Sequence, residues 1–390
     1  MRAAVVGGSL GGLSAALLLQ DLGIEVDVYE RSPSELVQRG AGIGFLPESA
    51  RYLVERAGVD LDRISVATSH IRYLDRRGAC VYEGRHAYRF SSWTTVYREL
   101  MRCFRRSRYH LDHEMTGWAE RDGAVEVDLA GRPARRVDLL VCADGVGSTA
   151  RARLLPDVAP SYAGYVAWRG LVPEAELDAS TRAVFDDAIT YYVYANSHIL
   201  VYPIPGPSGS VEPTERLVNF VWYRNYCAGG DLDELLTDRS GQRRELSVPP
   251  GAVGESHVAE MQAVARARLP PPFARVVGAV AQPFVQAIYD IEVPRMAFGR
   301  VCLLGDAAFV VRPHAAAGTA KAAADAWALA EALAETADVP AALARWERSQ
   351  VALGAQLLER TRRIGRRSQV DGTWVPGDPE LIFGLRGPGR

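Results

Sequence analysis

No two of the five cysteines form a Cys-x-x-Cys pair, and no histidine-rich cluster accompanies them. The spacings of zinc sites and of redox dithiols are therefore missing, while Cys142 and Cys302 sit inside apolar, strand-like runs. A reducing cytoplasmic setting without a metal is expected. No apolar run reaches the roughly 18 residues a membrane-crossing helix needs, so no membrane span is expected. The apolar stretch from Leu13 to Leu19 is too closely tied to a preceding strand and to the following Glu25 to Glu30 to read as a secretion signal. An excess of charge is lacking too. Forty-five Lys and Arg against 47 Asp and Glu leave a formal charge of -2, which gives nucleic acid or anionic lipid no general attraction. Neither an internal repeat nor a low-complexity tract is found. What the chain has is apolar mass: 390 residues, 48% of them hydrophobic, enough for a large core and two or three domains. The ligand to expect is a small molecule.

Ala3 to Val6 reads as a buried parallel strand, Gly7 to Gly12 as a turn, Leu13 to Leu22 as a helix and Ile24 to Tyr29 as a second strand: a βαβ unit. Val137 to Cys142 and Val301 to Leu304 are two further apolar strands, each ending beside an acid and a glycine. Between them, Tyr191 to Tyr194, Leu200 to Ile204 and Leu217 to Tyr223 are β-branched and aromatic runs broken by Pro203, Pro205, Gly206 and Pro207, which predicts a sheet-rich second domain. The expected fold is α/β: a Rossmann-like domain, discontinuous over 1–70, 94–160 and 285–340, an inserted sheet-rich domain over 71–93 and 161–284, and C-terminal helices with a packed tail over 341–390. Residues 207–216 and 247–254 are expected loops.

Three segments carry the chemistry. In a dinucleotide turn the first glycine allows the bend, the second lets backbone approach a pyrophosphate and the third lets helix pack on strand. Gly7, Ser9 and Gly12 hold these places, with Ser9 departing from glycine, and Gly8 and Gly11 adding slack. Glu30 at the end of the second strand is placed to accept from an adenosine ribose, which favours FAD or NAD over a 2′-phosphorylated nucleotide. The alternative is a merely structural turn. In the second segment, Ala143-Asp144-Gly145 through Ser148 to Arg151, Asp144 and Ser148 can cap a helix, a role compatible with a cofactor. In the third, Gly305-Asp306-Ala307-Ala308 precedes Pro313 and Gly318 ahead of a helix whose N-terminus would stabilise an anion.

The trio resembles the FAD-dependent aromatic hydroxylases, the flavin monooxygenases of the para-hydroxybenzoate hydroxylase type, and the likeness runs from Ala3 to Leu385. The runs around Tyr162 to Gly170, Tyr202 to Gly206 and Arg312 to Gly318 are similar to those of members acting on hydroxylated pyridines. The resemblance implies FAD held by Gly7, Ser9, Leu10, Gly12, Glu30, Arg31, Arg39, Asp144, Gly305, Asp306, Pro313, Gly318 and Thr319, with Asp306 on a ribityl hydroxyl. Arg39 reads equally as a surface arginine. Phe309 stands where many members have His, Ala316 and Ala320 replace residues often Gly and Gly or Asn, and Tyr97 replaces the usual arginine, so Arg98 is given no cofactor role.

The implied reaction is hydroxylation of an electron-rich hydroxypyridine or phenol with NADH or NADPH and O2, through a flavin C4a-hydroperoxide. A pyridinol or phenol with a long side chain is the alternative substrate. His314 is the first candidate for a base at the substrate hydroxyl, with a structural histidine as the alternative. Tyr223 and Tyr202 are candidates for orienting the ring, with core packing as theirs. A halogenase would need a Trp-x-Trp-x-Ile-Pro run, which is absent; an oxygen-independent flavin oxidoreductase and a non-enzymatic flavin-binding sensor stay as rivals. A small aromatic substrate and O2 are the expected partners, with no nucleic acid and no membrane, and a homodimer is left open.

Overall fold

The structure is a computed structural model of the 390-residue chain, and residues 1–37 and 41–390 are described. Arg39 lies outside the described residues. A six-stranded sheet is built around the first strand, Arg2–Val6. This strand pairs in parallel with Glu25–Glu30 on one side and Leu139–Cys142 on the other, and the latter pairs in parallel with Val301–Leu303. Arg2–Val6, Leu139–Cys142 and Val301–Leu303 are nearly continuous apolar runs because helices cover their faces: Leu10–Asp21 buries Leu13, Leu17 and Leu19 completely. That helix starts inside the glycine turn, at Leu10 instead of the expected Leu13.

The second layer is a nine-stranded sheet. Its centre is Ser161–Pro173, Leu217–Asn225, Ser197–Ile204 and Ala188–Tyr194, paired antiparallel in that order. Alternation sorts its side chains. Val166, Trp168, Phe220 and Trp222 point to one face, onto the helices Glu255–Arg268 and Pro271–Ala279. Tyr165, Ala167, Tyr191, Tyr202 and Tyr223 point to the other, where they meet Ala315, Ala317 and the helix Val339–Arg366.

The expected domain limits cut across this sheet. Val66–Leu74 spans the limit at 70 and pairs in parallel with Ala188–Tyr194, Gly42–Gly44 extends the far edge, and Phe284–Asp290 spans the limit at 285 and pairs with Ser161–Pro173. Each was placed by chain position, whereas sheet membership is decided by pairing partners remote in sequence. Likewise Ser247–Val248, in an expected loop, pairs with Phe284–Asp290. Among the described residues no helix is long and apolar enough to cross a membrane.

The chain ends by folding over the aromatic face. Trp374 and Phe383 are buried there, and Arg360, itself 7% exposed, donates from Val339–Arg366 to the carbonyls of Gly384 at 2.7 Å and Glu380 at 3.2 Å. Removing a buried cation that satisfies several carbonyls leaves those acceptors unpaired. Arg360→Met is expected to lower unfolding free energy by about 2–4 kcal/mol in denaturant titration, and to make the chain after Asp371 the first site of limited proteolysis.

Candidate functional site

The three motif loops leave the carboxyl ends of three adjacent parallel strands, the place where open α/β sheets bind ligands. Gly7 has φ +99°, and a Cβ on it would stand 2.2 Å from the Ala143 carbonyl oxygen; a Cβ on Gly12 would stand 1.8 Å from the Gly7 carbonyl oxygen. Neither position admits a side chain. Ser9 begins the helix without spending its hydroxyl on a cap. Gly7, Ser9, Glu30, Arg31 and Asp144 line one cleft of about 230 Å³, joined by Trp93 and His113. Leu10 is buried in the core beneath it.

The carboxylates divide their work. Glu30, 7% exposed, accepts from the backbone N–H of Gly8 and of Ser32, both at 2.9 Å. Asp144 accepts from the Ser148 hydroxyl at 2.6 Å and the Ala150 N–H at 3.2 Å, and Ser148 caps Arg151 at 2.9 Å. The capping alternative for this pair is thus present in the structure. Buried Arg151 donates to the Ala307 carbonyl at 3.1 Å, tying the second loop to the third.

The third loop rests on a buried ion pair. Lys321, the only lysine in the chain, holds both carboxylate oxygens of Asp325 at 2.7 and 2.8 Å, and Asp325 accepts from the Gly305 N–H at 3.1 Å. The two side chains are 1% and 0% exposed. Asp306 follows, exposed, with no side-chain partner. Desolvation by surrounding protein pushes its carboxyl up to about 6, with Lys321 opposing the rise; its openness to water limits that penalty.

Pro313 opens a short turn, and Thr319 bonds the Ser49 hydroxyl at 3.0 Å. Gly318 starts the helix Gly318–Glu335, which has no side-chain cap and no acid in its first turn. A cradle that admits no Cβ, helix N-termini with unspent N–H groups, and an unpartnered Asp306 fit a dinucleotide with an anionic pyrophosphate. The fit to FAD is good on those grounds.

The loop from Gly305 to Gly318 also faces the aromatic side of the large sheet. His314, 4% exposed, is 2.6 Å by Nε2 from the Tyr165 hydroxyl, and its Nδ1 is buried without a partner. Its ring lies 4.8 Å from Tyr223 and 5.4 Å from His198, centre to centre. The structure thus brings His314 and Tyr223 together. Tyr202 sits apart from them, stacked on Phe90 at 4.2 Å and opposite Asn219 in register.

Four buried or half-buried polar groups went unnoticed in the sequence. His198, opposite Tyr223 in register, is pulled down to about 3 by burial. Asn219 takes the Gly42 N–H at 3.0 Å, Arg169 donates to the Gly42 carbonyl at 2.7 Å, and Lys321 holds Asp325. The signal for His198 and Asn219 was available: each lies on the same alternation as Tyr202 or Tyr223. Among the described residues no group of acids, histidines and cysteines could hold a metal.

Comparison with known proteins agrees with this geometry. Residues 162–290 match a FAD binding domain-like family and residues 284–361 a FAD binding domain family. The chain is 39% identical to 2,6-dihydroxypyridine 3-monooxygenase of Paenarthrobacter nicotinovorans over 98% of its own length and 96% of the relative's. It is 28% identical to 6-hydroxynicotinate 3-monooxygenase of Pseudomonas fluorescens over 98% and 94%. The solved structure of 2,6-dihydroxypyridine-3-hydroxylase from Arthrobacter nicotinovorans superimposes with a TM-score of 0.92 at 39% identity, covering 98% and 96% of the two chains.

The chain therefore belongs to the FAD-dependent aromatic-ring monooxygenases, flavoproteins that use NAD(P)H as reductant. Because no Cβ fits at the turn, Gly12→Ala must displace the Gly7 backbone, a strain of about 1–3 kcal/mol. The variant is expected to purify with flavin content reduced about tenfold or more, read from its absorbance per unit protein.

Proposed function

We propose that the enzyme hydroxylates a hydroxypyridine or phenol whose ring lies against the aromatic face, beneath the loop that carries His314. The observation that carries the reading is the unpartnered Nδ1 of buried His314 beside Tyr223, a polar group inside an apolar, ring-lined site. It is supported by relatives named for hydroxypyridine substrates along the whole chain. FAD, when bound, supplies the redox chemistry: electrons from NAD(P)H, activation of O2 and delivery of one oxygen atom to the ring. The protein's own part is to hold the ring, exclude water and orient the hydroxyl that makes a neighbouring ring carbon electron-rich.

We assign the cofactor to Gly7, Ser9, Leu10, Gly12, Glu30, Arg31, Asp144, Gly305, Asp306, Pro313, Gly318 and Thr319, with Arg39 added from the sequence. His314, Tyr223 and Tyr202 are assigned to the substrate. We also place the enzyme in the cytoplasm, a reading supported by five free thiols. A second copy is not needed to complete the site as assigned, and light scattering of the purified protein decides between monomer and homodimer.

Two measurements test this reading. The purified yellow protein should consume O2 and NADH together when given dihydroxypyridines, hydroxynicotinate or simple phenols, with product mass raised by one oxygen atom. Turnover only with ring substrates bearing long side chains would redirect the reading to a tailoring enzyme, and NADH oxidation giving only hydrogen peroxide across the panel would overturn it. Asp306→Ala, which removes an exposed and unpartnered side chain, should stay folded by circular dichroism yet bind FAD at least about tenfold more weakly, the loss of one charge-assisted hydrogen bond. Full flavin occupancy would remove the assignment of Asp306.

A further inference from the structure

His314 has one ring nitrogen spent and one unspent. Nε2 is 2.6 Å from the Tyr165 hydroxyl, and Nδ1 is buried without a partner. A buried imidazole nitrogen left unpaired is costly unless a ligand completes it. Which nitrogen carries the proton follows from the neighbours. Nε2 is the one hydrogen-bond partner of the Tyr165 hydroxyl found among the described residues, and Arg312, paired with Asp290 at 2.8 Å, lies over the Tyr165 ring at 5.7 Å from its centre. The hydroxyl's single proton therefore has Nε2 of His314 as its acceptor. Nε2 is then an acceptor, and the proton of the neutral ring sits on Nδ1.

We propose that Tyr165 is a positioning residue that fixes His314 in its Nδ1–H form, so that His314 donates a hydrogen bond to the ionised hydroxyl of the substrate instead of removing its proton. This rests on the aromatic-hydroxylase reading of the site. The substrate's hydroxyl proton is released to solvent before or during binding, and no bond to His314 is made or broken. The groups around the ring agree with this. His198, Tyr223, Tyr165 and Trp374 face it from the sheet and the tail, all uncharged at neutral pH, and Arg312 faces it from its own loop with Asp290 behind. Burial, then His198, then Arg312 hold the imidazole well below its ordinary pKa. A neutral ring next to a fixed cation is suited to receive an anion.

The first test is the tautomer itself. Nitrogen-15-labelled histidine in the FAD-loaded enzyme, with His314→Asn to assign the signal, should show His314 protonated at Nδ1 in multiple-bond proton–nitrogen spectra. Protonation at Nε2 overturns the proposal. The second test is ligand ionisation in the oxidised holoenzyme without reductant, using nitrophenol as the probe. Its anion should bind at least about tenfold more tightly than the neutral phenol, which displaces the probe's pKa downward by about one unit on binding.

In Tyr165→Phe that preference should fall at least about fivefold while FAD content and melting temperature change little. Tighter binding of the neutral phenol, or an unchanged preference in Tyr165→Phe, overturns the role of the pair. Should Tyr165→Phe not fold, the wild-type tautomer still decides. If Nδ1 is protonated but neither nitrophenol nor any hydroxypyridine binds, the substrate reading fails and the tautomer assignment survives it.

Discussion

The segment from Gly305 to Gly318 is the constraint on which both halves of the molecule depend, because it is fastened to each sheet. On the cofactor side Gly305 is held by Asp325, and Ala307 by Arg151. On the substrate side Val310 pairs with Ile291 at the end of Phe284–Asp290, Arg312 pairs with Asp290, and His314 meets Tyr165. A dinucleotide at the strand ends and a ring on the aromatic face would therefore be read by the same ten or so residues of backbone. Movement of that loop would disturb both at once, which is why its anchors are buried and charged instead of exposed and exchangeable.

Those anchors are costly in isolation. A lone buried charge would be unstable, and a buried pair survives only when its remaining hydrogen bonds are met. Asp325 meets this condition through Lys321 on both oxygens and the Gly305 N–H. Asp290 meets it through Arg312 and Arg362. By contrast, the groups left unmet among the described residues include His314 Nδ1, Asn219 Nδ2 and Arg169 Nε, all on the aromatic face or its edge. Asp325 and Asp290 are thus satisfied pairs that hold the loop, whereas His314 Nδ1 is left free beside Tyr223.

Much of this was legible in the sequence where the determinant is local. The glycine turn, the acid at the end of Glu25–Glu30 and the Gly305-Asp306 loop are defined by a few adjacent residues whose backbone has little choice, and all emerge where sequence placed them. The aromatic and β-branched runs became strands, as their side chains favour. What was not legible is what depends on remote pairing. Gly42–Gly44 joins the large sheet only because Ser92 and Asn219 wait for it. His198 reads as one histidine in an apolar run until the register sets it opposite Tyr223. The role first suggested for His314, a base, came from residue type; its hydroxyl partner is 149 positions away.

The only lysine shows how a buried charge beside the third loop is accommodated. Elsewhere the chain uses arginine for every cation, yet at 321 a guanidinium would bring five donors into a space where Asp325 offers the acceptors. A lysine ammonium needs fewer partners, and the i, i+4 spacing on Gly318–Glu335 lets it reach forward over one turn to the same carboxylate that fixes Gly305. Phe309 supplies a further contact: its ring lies 5.0 Å from the Lys321 ammonium and closes against Gly354 of the long helix. The phenyl ring takes no proton and asks for no hydrogen bond, so the ammonium is left wholly to Asp325. Phe309 and Lys321 thus belong to one arrangement around Asp325, whose carboxylate accepts from the N–H of Gly305 at its left-handed turn, φ +62°.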